Sequence, residues 1–298
     1  MSFTHATRYG CSSVMALAMV TFLAAPASAQ NAPADPNPGK VTVTAGMDLL
    51  NQYMFRGIRQ NATEVAMWPY ADLGLALYSG DGGLKSVGLN LGSWNSLHTG
   101  DTGSDGPSGK LWYEGDFYAT LGLGLGGGVS LGTTYTAYTS PNNMFSTVKE
   151  VAFKLGVDDS AYLGRGALRP YALVAFEMDT APGLGQADAG ENGGTYVELG
   201  VAPGWAAEAV GLAFPVKVGL SAGDYYELNG VDNKFGYFSI GAIATVPLGG
   251  TTSFGAWNVH GGVEYQRLGD TTAAINLDDD GRPQDNQVIA SFGFGLSY

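Results

Sequence analysis

The feature that most constrains this chain is an alternation of apolar and polar residues with a period of two. It is clear after Val41, where Val41, Val43 and Met47 fall on one side while Thr44 and Asp48 fall on the other. Successive side chains of a β-strand point to opposite faces, so this period predicts a strand with one apolar face. The pattern recurs to the last residue, which favours an almost entirely β fold.

The recurring alternation, interrupted by turn residues, predicts about twelve strands, within a range of ten to fourteen. Glycine-rich turns such as 80–83 and 126–128 alternate with longer, acidic loops such as 98–109 and 180–193. Short turns on one side and long loops on the other are typical of outer-membrane barrels. The predicted strands are residues 41–57, 65–79, 84–97, 110–125, 129–139, 144–157, 167–179, 194–203, 211–222, 234–246, 252–267 and 286–298.

The composition agrees with a membrane barrel. Charged residues make up 14% of the 298 positions, against roughly 25% in an ordinary soluble domain. Beyond the N-terminal region, no segment has the run of about 20 apolar residues that a transmembrane helix needs. We therefore expect an all-β fold over 40–298, a transmembrane antiparallel up-and-down β-barrel in the outer membrane of a Gram-negative cell. An even number of strands places both termini on the periplasmic side.

The first 29 residues have the pattern of a cleaved secretory signal peptide. Arg8 precedes an apolar run at 14–25, and small residues around Ala29 form the expected cleavage site. An N-terminal membrane anchor is the alternative, but the run is short for a membrane span. Residues 30–39 contain several prolines and are predicted to be a flexible lead into the barrel.

Charged side chains within the strands are expected to face the lumen, because a lysine or arginine in the lipid costs roughly 2–4 kcal/mol. The side chains expected to face inward include eight acids, Glu177 among them, but only three bases. This excess of carboxylates predicts a cation-leaning pore. We expect Arg56 to bridge to Glu114 or Asp116 and so to form the constriction. The predicted pore-lining residues are Asp48, Arg56, Asp72, Trp94, Glu114, Asp116, Glu150, Lys154, Glu198, Lys217, His260 and Glu264.

The last strand ends in an alternating apolar face formed by Phe292, Phe294, Leu296 and Tyr298. A terminal aromatic residue on such a face resembles the signal by which barrels are delivered to the outer-membrane barrel assembly machinery. An ordinary amphipathic edge strand is the alternative. By the same reasoning, aromatic residues such as Tyr53, Phe55, Tyr113 and Tyr135 are expected near a membrane interface.

Enzymatic chemistry has little support in the sequence. Beyond the signal peptide the histidines are His98 and His260, and we predict neither an enzyme nor a redox cofactor. A barrel-embedded lipid enzyme would need a serine beside His260 at the rim. The net charge of −13 disfavours nucleic acid as a partner.

One acidic loop has the spacing of the first half of a calcium site. Asn276, Asp278 and Asp280 offer oxygen ligands at alternate positions before Gly281, but the usual glutamate at the twelfth position is missing. A calcium ion bound here would bridge to lipopolysaccharide, and a solvated acidic loop without a metal is the alternative.

Three segments resemble the proteobacterial outer-membrane proteins known as TorF-type porins. They are NQYMFRGIRQ at 51–60, GSWNS at 92–96 and YEGDFYATLG at 113–122. In that family an Asn-x-Tyr-x-aromatic-Arg-Gly segment ends the first strand, and a Gly-x-Trp-x-Ser segment and an acidic-x-acidic-x-Tyr strand follow. The resemblance implies a porin-type barrel with family positions at Tyr53, Arg56, Gly57, Gln60, Trp94, Glu114 and Asp116.

Together these patterns predict a porin-like channel for passive diffusion of small, cationic or neutral solutes. The expected partners are outer-membrane lipid, lipopolysaccharide, the barrel assembly machinery and the solutes themselves. The alternative is a non-conducting structural or surface-interaction barrel, whose inward charges only form salt bridges in a plugged lumen.

Overall fold

The computed structural model describes residues 40–61, 65–98, 110–178, 193–207, 209–249, 254–278 and 280–298. The predicted signal peptide at 1–29 and the predicted lead at 30–39 lie outside these residues. The strands are β1 Val41–Leu50, β2 Tyr53–Phe55, β3 Ile58–Asn61, β4 Ala66–Ser79, β5 Leu84–Leu97, β6 Trp112–Leu125, β7 Val129–Thr139, β8 Val148–Val157, β9 Tyr171–Glu177, β10 Thr195–Val201, β11 Gly204–Ala206, β12 Gly211–Ala213, β13 Val216–Gly223, β14 Glu227–Leu228, β15 Val231–Asp232, β16 Phe235–Pro247, β17 Ala256–Leu268 and β18 Asn286–Ser297. Two short helices, α1 Ser160–Leu163 and α2 Asp270–Ile275, and 3₁₀ turns at Gly126–Gly128 and Gly164–Gly166 complete the elements.

Twelve antiparallel barrel strands close into a ring, which confirms the predicted all-β barrel. Each strand pairs with its neighbours in the chain, and the ring closes where β1 pairs with β18, for example at Met47 opposite Phe294. Two barrel strands are interrupted at a proline: β10 continues as β11 beyond Pro203, and β12 continues as β13 beyond Pro215. We call the end of the barrel where β1 begins and β18 ends the terminal end, and the opposite end the far end.

The strand pattern inverts the usual arrangement of a soluble protein. On the neighbouring strands β6 and β7, Phe117 and Leu131 point outward and are 57% and 40% exposed. The residues that alternate with them point inward, where the hydroxyls of Thr120 and Thr134 lie 2.9 Å apart. Large apolar side chains therefore cover the outside of the barrel, and polar side chains line the inside.

Exposed aromatic side chains gather near both ends of the outer surface. Trp205 and Trp257 lie near the terminal end, while Trp112, Phe176 and Tyr265 lie near the far end. Such rings sit favourably at the boundary between lipid and water. In the described part of the chain, no helix combines the length and the apolar character that crossing a membrane requires.

The first predicted strand is wrong in its second half. We expected a single strand over 41–57, but β1 ends at Leu50, and β2 and β3 form a separate hairpin that folds into the lumen. Its two-residue turn is Arg56-Gly57, with φ of 43° and 82°, the positive values that a type I′ turn requires at both positions. We call residues 53–61 the plug hairpin.

The plug hairpin also corrects the expected positions of several aromatic residues. Tyr53 and Phe55 are 1% and 0% exposed inside the barrel, and Tyr113 on β6 is 2% exposed. Of the four residues expected near a membrane interface, Tyr135 alone faces outward. A packed lumen and a lipid surface both accept aromatic side chains, so the alternation of the sequence did not distinguish them.

Candidate functional site

The plug hairpin fills the far half of the lumen with a close-packed aromatic cluster. The Tyr53 ring centroid lies 4.9 Å from that of Trp68 and 5.5 Å from that of Trp94. The Tyr53 hydroxyl donates a hydrogen bond to Glu114, at 2.9 Å. On the other strand of the hairpin, Gln60 accepts a hydrogen bond from the Tyr113 hydroxyl. Both strands of the hairpin are therefore bound to the barrel wall.

Arg56 at the tip of the hairpin is held by an ion pair, a further hydrogen bond and an aromatic ring. Its Nη1 and Nη2 donate to the two carboxylate oxygens of Glu150 on β8, at 2.7 and 2.9 Å. Nη1 also donates to the Tyr225 hydroxyl at 2.9 Å, and the guanidinium carbon lies 4.0 Å from the centroid of the Tyr196 ring. Burial alone would lower the pKa of Arg56, but the Glu150 carboxylate outweighs it and raises the pKa, so the group stays charged.

The backbone of the hairpin turn is held from two further sides. The Tyr226 hydroxyl donates to the carbonyl oxygen of Arg56 at 2.8 Å. Asn276, just after α2, donates from Nδ2 to the Gly57 carbonyl at 2.7 Å and accepts the Arg59 N–H at Oδ1 at 2.8 Å. Two far-end connections thus fix the turn.

The expected partner of Arg56 is wrong. Arg56 pairs with Glu150, whereas we expected Glu114 or Asp116. Both of those acids are 0% exposed on β6, and neither oxygen of Asp116 has a hydrogen-bond partner among the described residues. The difference arises because Arg56 leaves the barrel wall with the hairpin, so its position no longer follows the register of the first strand.

The terminal half of the lumen is polar and reached by water. Asp48 and His260 pair at 2.6 Å between Oδ1 and Nε2, with side chains 23% and 21% exposed. Lys217 and Glu264 lie 3.9 Å apart and are 14% and 23% exposed. By contrast, the Arg56 and Glu150 side chains are 1% and 3% exposed. The lumen is therefore wet in its terminal half and dry around the plug hairpin.

The remaining predicted lining residues of this half are also placed inside the barrel. Glu198 accepts hydrogen bonds from three tyrosine hydroxyls, including that of Tyr171 at 2.7 Å. The Lys154 ammonium lies 4.4 Å from the centroid of the Tyr171 ring. Asp72 accepts a hydrogen bond from Asn90 at 2.6 Å.

The inward charges divide between the two halves. Around the plug hairpin, four of the acids expected to face inward accompany Arg56; these are Glu114, Asp116, Glu150 and Glu177. In the terminal half, four acids accompany two lysines and a histidine; these are Asp48, Asp72, Glu198 and Glu264 with Lys154, Lys217 and His260. The excess of carboxylates that water reaches is accordingly smaller than the sequence alone indicates.

Several tyrosines that build the site were not singled out from the sequence. Tyr196, Tyr225, Tyr226 and Tyr237 are all 0–1% exposed in the far half of the lumen. A usable signal was present, because a Cβ on the inward-facing Gly219 would collide with the Tyr237 ring. A glycine at an inward position of a strand thus marks a neighbouring large side chain.

The proposed calcium ligands are not brought together by the structure as a set. Both polar atoms of the Asn276 side chain contact the plug hairpin. Asp278 accepts the backbone N–H groups of Asp280 and Arg282, and the exposed Asp280 carboxylate pairs with Arg282 at 3.1 Å. Among the described residues, no group of three or more His, Cys, Asp or Glu side chains is arranged to hold a metal ion. A calcium site at Asp278 and Asp280 stays a prediction.

The predicted assembly signal lies on the outer surface of β18 and just beyond it. Phe292, Phe294 and Tyr298 are 58%, 40% and 42% exposed, and Leu296 is half-buried on the same face. Its recognition by the assembly machinery stays a prediction.

No known protein family and no curated protein matches the sequence. The COG4313 outer-membrane channel from Pseudomonas putida F1 is 11% identical, with a TM-score of 0.46, over 91% of this chain and 100% of that chain. The anion-selective porin from Comamonas acidovorans is 8% identical, with a TM-score of 0.41, over 87% and 98%. The translocator domain of the autotransporter NalP from Neisseria meningitidis is 14% identical, with a TM-score of 0.38, over 88% and 89%. All three TM-scores lie below 0.5, so the function proposed below rests on the geometry of this chain, and the resemblance to TorF-type porins stays a prediction.

Proposed function

We propose that this protein is an outer-membrane channel of porin type, through which small solutes diffuse passively. The observation that carries this proposal is a closed twelve-stranded barrel that is apolar outside and holds water-accessible charged groups inside. The aromatic rings near both ends support a membrane location, since such rings favour the two interfaces of a bilayer. Twelve strands enclose a lumen between the filled eight-stranded barrels and the wide sixteen-stranded porins.

In this proposal the plug hairpin is the gate. It fills the far half of the lumen, so passage of a solute requires the hairpin to move away from Glu150 and the tyrosines around it. Breaking a buried ion pair so that one charge is left without its partner costs about 3–5 kcal/mol. A closed state favoured by about 3 kcal/mol leaves the open state populated at under about 1%, so openings are expected to be rare.

Cation preference is the finer part of the proposal. Four acids accompany two lysines in the wet half, and movement of Arg56 would uncover further carboxylates such as Glu150. Carboxylates on a low-dielectric wall raise the local concentration of cations. A reversal potential under a salt gradient measures this preference directly.

A second candidate is a structural or surface-interaction barrel that does not conduct. The filled far half of the lumen favours this candidate, because a gate that never opens leaves no path. The two candidates predict different behaviour of the wild type, which opens rarely if it is a channel and never if it is a structural barrel.

The deciding experiment is single-channel recording of the refolded chain from residue 30 onward in planar bilayers. A variant with residues 53–61 replaced by a short Gly/Ser linker is compared with the wild type, after heat-modifiable gel mobility has shown that both are folded. We expect rare steps from the wild type and frequent, larger steps from the variant. Absence of steps from the folded wild type would reject the channel and leave the structural barrel, whether or not the variant conducts.

A further inference from the structure

The barrel wall binds a guanidinium group that it does not itself supply. Glu150 on β8 and Tyr196 on β10 belong to the wall, Tyr225 lies in the far-end connection after β13, and all three contact Arg56 of the plug hairpin. We propose that these three residues, which we call the guanidinium cage, form a binding site for solutes that carry a guanidinium group. Arg56 occupies the cage while the hairpin is in place. As a route for solutes, the cage rests on the channel function proposed above.

The geometry of the cage selects a flat, forked cation. The two Glu150 oxygens accept one N–H each from Nη1 and Nη2, at 2.7 and 2.9 Å, which is the bidentate pairing that a guanidinium makes and an ammonium cannot. The Tyr196 ring lies 4.0 Å from the guanidinium carbon. The cage thus recognises charge, planarity and donor direction together.

The cage is organised by the wall rather than by Arg56. The Tyr138 hydroxyl on β7 donates to Glu150 Oε1 at 3.2 Å and helps to orient that carboxylate. Glu177 is the cross-strand partner of Glu150, so a second carboxylate on β9 adds to the attraction for a cation. Because Glu150 and Tyr196 lie on barrel strands, the carboxylate and the ring that bind the guanidinium stay in the wall when the hairpin moves.

The contacts of Arg56 also define which solutes fit. Its Nε has no hydrogen-bond partner among the described residues, while both terminal nitrogens are bound. The cage therefore binds the end of the group that all monosubstituted guanidinium cations share. A solute of this class competes with Arg56 for Glu150 and stabilises the displaced hairpin, which makes the gate responsive to the solute.

Emptying the cage tests the proposal without any need for conduction. Arg56→Ala removes the occupant, while Tyr53 and the Asn276 contacts still anchor the hairpin. Isothermal titration of the refolded protein with methylguanidinium should give saturable binding to Arg56→Ala and none to the wild type, whose cage is filled. The Arg56→Ala/Glu150→Gln variant and methylammonium as the probe should each weaken binding at least tenfold. Equal heats from Arg56→Ala and the double variant would overturn the proposal.

A second measurement keeps the proposal testable if Arg56→Ala does not refold. Open probability of the wild type is recorded with arginine or with lysine on the far side, at equal ionic strength. Arginine should raise it at least tenfold more than lysine, and equal responses would overturn the guanidinium cage. Saturable methylguanidinium binding by a barrel that never conducts would reject the channel and retain the site. Conduction by a barrel whose Arg56→Ala variant does not bind methylguanidinium would retain the channel and reject the site.

Discussion

Neutralising Glu150 should open the gate. In Glu150→Gln the Arg56 guanidinium stays buried without its counter-charge, whereas in the displaced hairpin it reaches water. Leaving one partner of a buried ion pair uncompensated costs about 3–5 kcal/mol, and the remaining amide oxygen and the Tyr225 hydroxyl favour the lower end of that range. Because every 1.4 kcal/mol is a factor of ten, about 3 kcal/mol corresponds to a roughly hundredfold rise in the ratio of open to closed states.

Single-channel recording gives this ratio directly as open probability. Arg282→Gln is the matched control, because it breaks the Asp280–Arg282 pair, whose side chains are 68% and 74% exposed. Exposed pairs contribute about 0–1 kcal/mol, so the control should change open probability less than about fivefold. Arg56→Met and the Arg56→Met/Glu150→Gln variant complete a double-mutant cycle, in which the double variant should open less often than Glu150→Gln. Indistinguishable traces from Glu150→Gln and Arg282→Gln would refute the assignment of this pair as the latch.

Three further predictions concern packing, protonation and metal binding. Gly219→Ala should destabilise the barrel by about 1–3 kcal/mol in urea unfolding, because its methyl group meets the buried Tyr237 ring, whereas Gly82→Ala, with open space around it, should change stability little. Burial lowers the pKa of His98 to about 4, so an NMR titration should find it neutral down to that pH. The unfolded chain binds this proton near pH 6.5, so stability should fall as pH drops from 6.5 towards 4, and a wild-type slope in His98→Gln would contradict this. Calcium titration should give smaller heats for Asp278→Asn than for the wild type, and equal heats would reject the loop site.

Much of the barrel wall could be predicted from the alternation alone. The predicted strands 84–97 and 129–139 coincide with β5 and β7, and 65–79 differs from β4 by one residue. These strands separate lipid from a polar lumen, so every residue carries a clear preference for one face. The short turns at the terminal end, such as 80–83, were equally clear because glycines mark them.

The plug hairpin could not be predicted in the same way. Leu50 and Asn51 break the alternation where β1 ends, but Tyr53 resumes it on the same face. A short break of this kind does not separate a strand that stays in the wall from one that turns into the lumen. The partner of Arg56 lies 94 residues away, and which acid meets it depends on the stagger of the closed barrel. The contacts of Asn276 with the hairpin turn also depend on closure of the barrel. From the sequence alone, the side-chain oxygen of Asn276 therefore suggested a metal ligand.

The long sequence separations around the plug hairpin have a consequence for the order of folding. Arg56 lies 169 residues from Tyr225, and Asn276 lies 219 residues from Gly57, so some of the groups that hold the hairpin turn come late in the chain. Contacts this distant in sequence form slowly, because the loop between them must close first. The root of the hairpin is also tied to the final strand, since Asn51 and Gln52 donate side-chain hydrogen bonds to the Val288 carbonyl. The complete set of hairpin contacts therefore forms only after the last strand has joined the barrel, which makes full burial of the hairpin a marker of completed assembly.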